Sequence, residues 1–168
     1  ETILNAYAAH GLDALDRLRG MYAFALHEAC AERLILGRDR LGIKPLFYVR
    51  LPDRIAFASE IKALLAILPE SPRISPSALR QFLQNQFASG EETLIDGLRR
   101  VPPGTVLLID ADLSIRVHRY WSALDVVPRR IDFEDARAEL DTLMDEAMRE
   151  HQRSDVPFGL FLSGGLDS

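Results

Sequence analysis

A single cysteine, Cys30, leaves no pair for an intrachain disulfide, and a reducing compartment such as the cytoplasm fits that count. It lies between Glu28 and Glu32 in what reads as a turn, where acidic neighbours disfavour a thiolate, so no nucleophilic role is assigned to it. No apolar run approaches the roughly 20 residues of a membrane-spanning helix. Glu1–Asn5 shows neither the basic segment nor the apolar core of a signal peptide. Basic residues are in deficit, 20 against 25 acidic ones, and the net charge of −5 speaks against a nucleic-acid or anionic-membrane surface. His10, His27, His118 and His151 have no metal-ligand spacing, so no metal site is read from them. Tandem repeats and low-complexity tracts are lacking as well.

What remains is a globular composition, 48% hydrophobic and 27% charged. Ile3, Leu4, Tyr7 and Ala8 recur at helical spacing up to Gly11, and Leu12, Leu15 and Leu18 predict a second short helix. The period then changes. Residues 21–26, 33–36, 46–49 and 55–58 are apolar at odd and even positions alike, with connections too short for crossover helices. They predict antiparallel strands covered on both faces, and hence two sheets packed face to face with helices outside. Ser59 is expected to cap a helix to about Leu68. Ser75, followed by Pro76, caps another whose apolar side is Leu79, Phe82 and Leu83. Strands are predicted over 106–109 and 115–121. The stretch 122–131 carries no period and reads as a linker between a first domain, 1–121, and a second, 132–168. Asp132 should cap a long helix with the stripe Phe133, Ala136, Leu140, Leu143 and Ala147 and the ion pairs Arg137–Asp141 and Asp145–Arg149.

The second domain would end on a buried strand, Val156–Leu162, running into Ser163-Gly164-Gly165-Leu166-Asp167-Ser168. Glycines there let backbone amides approach an anion, and the free amides of a following helix would complete a phosphate cradle. No lysine follows the second glycine, so this is not the Gly-x-x-x-x-Gly-Lys loop. It resembles the pyrophosphate loop of the ATP pyrophosphatase superfamily. The plainer reading is an Asp-Ser turn with two flexible glycines. The chain begins inside an apparent helix and stops where that loop calls for one, so a piece of a longer enzyme is expected.

Ordered blocks carry a broader resemblance: Glu1–Tyr7, Leu18–Leu26, Gly37–Tyr48, Phe57–Leu64, Val101–Gly104, Tyr120-Trp121 and Ser154–Ser168. Together they resemble glutamine-hydrolysing asparagine synthetases. The resemblance implies an α+β chain. Its first part is an incomplete glutaminase domain of the N-terminal-nucleophile type, a four-layer α-β-β-α fold. The start of an α/β parallel-sheet pyrophosphatase domain follows. It implies release of ammonia from glutamine, an internal tunnel, and attack on a β-aspartyl-AMP made from ATP and aspartate. ATP and Mg²⁺ are the implied cofactors. Glutamine, ATP and a carboxylate, by default aspartate, are the implied partners, with a homodimer expected and neither nucleic acid nor membrane.

Residue by residue, the resemblance gives Ser163, Gly164, Gly165 and Ser168 the ATP phosphates or pyrophosphate. Leu162 meets the nucleotide through its backbone, and Asp167 stands near phosphate-bound Mg²⁺. Asp167 could equally be a helix N-cap, and the two roles can coexist. Met21 and Ile43 match positions near the ammonia route, where an apolar wall suits neutral ammonia, although both would also serve as ordinary core. The family's nucleophile is an N-terminal cysteine, which Cys30 cannot replace because its nitrogen is in a peptide bond, so no catalytic residue falls within this chain. Arg38–Pro45 invites an anion-site reading, but a turn held by an Arg–Asp pair, with Gly42 bending it and Pro45 fixing its exit, is preferred. Two other functions stay open: an ATP-dependent amide ligase on another acceptor with a dead glutaminase half, and a non-catalytic scaffold keeping the fold.

Overall fold

A computed structural model describes residues 1–166, and the chain divides into two compact units, 1–126 and the segment from Val127 onward. The first unit opens with helix α1 (Thr2–His10), which stops at Gly11, where φ is +58° and the N–H donates back to the Tyr7 carbonyl. A 3₁₀ turn leads into the short α2 (Ala14–Arg17). Strands β1 (Ala23–Glu28), β2 (Arg33–Arg38), β3 (Phe47–Arg50) and β4 (Ile55–Ala58) come next. Helices α3 (Ile61–Leu65) and α4 (Pro76–Asn85) follow. Strands β5 (Leu98–Arg100), β6 (Thr105–Ile109) and β7 (Ile115–Arg119) complete the unit.

Every pairing among the described strands is antiparallel. One sheet has the order β1-β2-β6-β7 and the other β4-β3-β5. The apolar side chains on both faces of these strands divide between separate clusters. Leu36, Leu107 and Ile109 of the first sheet pack with Tyr48 of the second, together with Leu46 and Val101. The alternate residues Leu26, Ile35, Val106 and Leu108 pack with Leu15, Tyr7 and Leu12 from the N-terminal helical segment. On the second sheet, Val49 and Leu98 pack with Leu64 and Ile61 of α3. The fold is therefore α+β with two antiparallel sheets. Strands such as β6, buried at every position, read as continuous apolar runs because each face meets a different layer of side chains.

Local details depart from the sequence pattern for identifiable reasons. Strand β5 carries two arginines in three residues, so periodicity gives no sign of it. Pairing with β3 creates it, with Val49 opposite Leu98 and Phe47 opposite Arg100. Ser59 does not cap α3. The helix starts a residue later than expected, Glu60 occupies the cap, and no side chain bonds there. Ser75 caps α4 by accepting from the Ala78 N–H. The expected apolar side of α4 is turned outward, with Leu79, Phe82 and Leu83 exposed and only Ala78 buried among the helix residues.

The second unit contains α5 (Phe133–His151), whose first turn is capped by the Asp132 carboxylate accepting from the Glu134 and Asp135 N–H groups. Those bonds hold the Asp132 carboxyl below its ordinary pKa, the Asp135 amide first among them. Arg137 pairs with Glu134, one turn back, rather than with Asp141, while Asp145–Arg149 forms as expected. The stripe residues Phe133, Leu140 and Leu143 are exposed. The expected buried strand over 156–162 is not there: the segment has no strand partner among the described residues, and Val156, Phe158, Leu160, Phe161 and Leu162 are all exposed. A strand is held by its neighbours in a sheet, so apolar composition alone does not make one.

Candidate functional site

In the first unit, Met21 lines an open cleft of about 470 Å³ with Tyr22, Ala23, Lys44, Pro45 and Ser59. Met21 is 46% exposed and Ile43 53%, so neither belongs to the core. The two stand in separate segments, one entering β1 and the other in the β2–β3 connection, and a single buried side chain joins those segments.

That side chain is Asp39, only 2% exposed. Its Oδ1 accepts from the Ile43 N–H at 2.9 Å. Its Oδ2 accepts from the Lys44 N–H at 3.0 Å and from the Tyr22 N–H at 3.3 Å. The Asp39 N–H donates to the Tyr22 carbonyl, while the Asp39 carbonyl accepts from the Gly42 and Gly104 N–H groups. The carboxylate thus continues the β1–β2 ladder one step after the main-chain acceptor has turned away. Three amide donors are what a buried carboxylate needs in place of water.

Arg38 complements it. Nε donates to the Lys44 carbonyl at 2.9 Å, Nη1 to Val101 at 2.7 Å and Nη2 to Gly42 at 2.7 Å. Burial pulls the Arg38 pKa down, against the pull of Asp39 in the other direction. The expected Arg–Asp pairing within the turn is corrected in one respect: each charged group binds main-chain atoms. With those groups so engaged, the turn is a structural brace. Gly42 sits at φ +65°, where a Cβ would come within 2.9 Å of Pro103 and 3.1 Å of Arg38. Sequence reasoning found the bend from Gly42 and Pro45 but missed the role of Asp39, because acceptance by three distant amides leaves no periodic mark.

A hydroxyl pair adjoins this brace. The Tyr120 hydroxyl donates to the Arg38 carbonyl at 2.7 Å, so at 2.9 Å the Tyr22 hydroxyl is the donor to Tyr120. Burial raises both phenol pKa values above the ordinary one. Nearby, Arg40, Arg119 and Trp121 line an open groove of about 300 Å³ with Leu41, Pro103 and Ser122.

The other predicted residues lie in the second unit. Leu162 is exposed. Gly164 adopts φ +78°, with no atom within 4 Å of where a Cβ would stand, and the Gly165 N–H lies 3.4 Å from Ser163 Oγ. Gly11, Gly20, Gly90 and Gly97 share that left-handed conformation and open space. Asp167 and Ser168 fall outside the described residues, so the expected Mg²⁺ and phosphate contacts they carry have no described geometry. Among the described residues, no group of three or more His, Cys, Asp or Glu side chains is placed to hold a metal ion. No helix among them is long and apolar enough to cross a membrane.

Two family descriptions match the chain: "Glutamine amidotransferase domain" over residues 1–121 and "Asparagine synthase" over residues 139–168. Similar curated proteins include asparagine synthetase [glutamine-hydrolyzing] 1 of Bacillus subtilis (strain 168), 35% identical over 175 residues. A putative asparagine synthetase [glutamine-hydrolyzing] of Mycobacterium tuberculosis (strain ATCC 25618 / H37Rv) is 37% identical over 174 residues. Amidase chry2 of Gibberella zeae is 31% identical over 172 residues. In each comparison the whole of this chain is covered, but it spans only 26%, 27% and 25% of the respective relative.

Proposed function

The chain belongs, over residues 1–121, to the glutamine amidotransferase domain family, and from that premise we propose that it is part of an ATP-dependent amidotransferase. In this reading ammonia from glutamine amidates a carboxylate, by default aspartate to asparagine, driven by cleavage of ATP to AMP and pyrophosphate. The observation that carries it is the succession within one chain of a glutamine amidotransferase match and, from residue 139, an asparagine synthase match. A nitrogen-releasing module joined to a carboxylate-activating one has a use for ammonia as soon as it is made.

The chain's own residues have definite parts in this proposal. Ser163, Gly164, Gly165 and Ser168 would hold the phosphates, Leu162 would meet the nucleotide through its main chain, and Asp167 would be the acidic residue near phosphate-bound Mg²⁺. ATP, when bound, supplies the leaving group that makes a carboxylate open to attack. Met21 and Ile43 line the approach of ammonia. An apolar wall keeps water away from neutral ammonia, whose protonation would destroy the nucleophile.

A second reading changes only the acceptor. A protein named as an amidase, 31% identical, shows that likeness of this degree is not confined to proteins named as asparagine synthetases. The test uses full-length protein with ATP, Mg²⁺ and glutamine, following pyrophosphate release as carboxylates are added singly. Release with aspartate supports the default, and release with another acid alone supports the second reading. A protein that binds no ATP and releases no pyrophosphate with any carboxylate is a scaffold, and the proposal falls.

A further inference from the structure

We infer that Asp39 is a positioning residue for ammonia transfer: its buried carboxylate locks the segment at Met21–Ala23 to the segment at Ile43–Pro45, and so fixes the wall of the cleft between them. The inference rests on the proposed amidotransferase reading and deepens it, because it names the residue that keeps hydrolysis and amide formation in step.

Among the described residues the Asp39 side chain bonds both segments, whereas the Arg38 side chain holds only the second, through the Lys44 and Gly42 carbonyls. Residues that line the cleft come from both segments, Met21, Tyr22 and Ala23 from one and Lys44 and Pro45 from the other. The pairing register of β1 with β2 ends at Ala23 opposite Arg38. Beyond it the main-chain link is the bond from the Asp39 N–H to the Tyr22 carbonyl, and the reciprocal bond, from the Tyr22 N–H, goes to the carboxylate. The same carboxylate takes the amides of Ile43 and Lys44, so each segment is tied to the other through one group. With Met21 and Ile43 both about half exposed, their own packing does not hold them in place. Their position follows from their neighbours' amides. Removing the acceptor loosens both walls together, leaving the bond from the Asp39 N–H to the Tyr22 carbonyl and the Arg38 bonds as the remaining ties.

An asparagine offers one acceptor oxygen and one donor –NH₂. Whichever way its amide turns, at least one of the three N–H groups faces a donor, so Asp39→Asn loosens the brace in part. Asp39→Ala removes all three acceptances. A graded response is therefore the signature of the brace.

The experiment compares wild type, Asp39→Asn and Asp39→Ala as full-length protein. Three readouts come from each sample: glutamate released per amide formed with glutamine as donor, the rate of amide formation with ammonium supplied, and hydrogen exchange of peptides covering 21–23 and 43–45. The expected result is a rise in glutamate per amide of at least about threefold for the alanine variant, with asparagine intermediate. The ammonium-supported rate stays within about twofold of wild type. Both peptides exchange faster in the same order, alanine before asparagine. An unchanged ratio overturns the inference. So does a parallel fall of both rates, which means Asp39 merely keeps the domain folded. Absence of amide formation by the wild type from either donor is the separate failure of the amidotransferase reading, while exchange at the two peptides still reports on the brace.

Discussion

Tyr120 donates from its hydroxyl to the main-chain carbonyl of Arg38, 82 positions earlier, at 2.7 Å. The bond fixes the end of β7 to the end of β2, and the Tyr22 hydroxyl stacks a second link on it. Tyr120→Phe leaves the Arg38 carbonyl and the Tyr22 hydroxyl each short of a partner in a half-buried setting, which should cost about 1–2 kcal/mol. The pH dependence follows from the phenols. Burial raises the pKa of Tyr7, Tyr22, Tyr48 and Tyr120 in the folded chain. Above an unfolded value of about 10, the unfolded chain therefore holds fewer protons than the folded one, so stability falls as pH rises. Their contribution is complete below that value and is lost going upward. Denaturant melts from about pH 8 to 11 should show the decline, and Tyr120→Phe should flatten it. An equal slope in the variant would contradict this.

Two glycines are expected to be intolerant for reasons the fold makes visible. Gly37 pairs with Phe24 across β1 and β2, and a Cβ on it would overlap the Phe24 ring. Gly104 has φ +59°, and a Cβ there would overlap the Trp121 carbonyl. Alanine at either should destabilise by about 1–3 kcal/mol through overpacking, with Gly104 the worse because its backbone conformation is strained as well. By contrast Gly90, also at positive φ, has open space around it. Gly90→Ala should lose only the backbone term, about 1 kcal/mol. Chemical denaturation of the three variants gives the order, and a Gly90 variant as damaged as Gly104 would refute the steric account.

Much of the fold was legible because its signal is local. Strands such as β2 are apolar on both faces, and that alone calls for cover on each side. The caps at Ser75 and Asp132 were written in residue type, since a short oxygen-bearing side chain before a helical run has one evident partner. What escaped notice depended on distant atoms. Strand β5 exists because β3 offers it a ladder. The burial of Asp39 depends on amides 17 positions back and 4 and 5 ahead, none of them marked by side-chain identity. At Val156–Leu162 the failure ran the other way. Apolar residues suggested a strand, but residue type supplies no neighbour to pair with, and the segment lies exposed.

Met21 is the simplest probe of the cleft. At 46% exposure it makes little of the core, so Met21→Glu should shift thermal stability by only about 2 °C or less. Its effect should fall on chemistry. A hydrated carboxylate draws water to the wall, and water hands neutral ammonia a proton. In full-length protein, amide formed per glutamine consumed should drop at least about threefold while glutamine consumption holds steady. Glutaminase and amide assays on one preparation decide it. Unchanged coupling would take Met21, and with it the apolar wall, out of the account.

Gly164 separates the proposed nucleotide loop from everything before it. Among the described residues, chain neighbours aside, no atom lies within 4 Å of a Cβ built there. What alanine brings is a strained backbone at φ +78° and a methyl group on the side where an anion would approach. The strain is worth about 1–2 kcal/mol in an exposed loop. Gly164→Ala should therefore leave glutamine hydrolysis intact in the full-length protein and cut ATP-dependent pyrophosphate release by more than about tenfold. If both activities persist, the loop does not hold phosphate. If both fall together, the substitution acts through the whole fold, contrary to the open space around the residue.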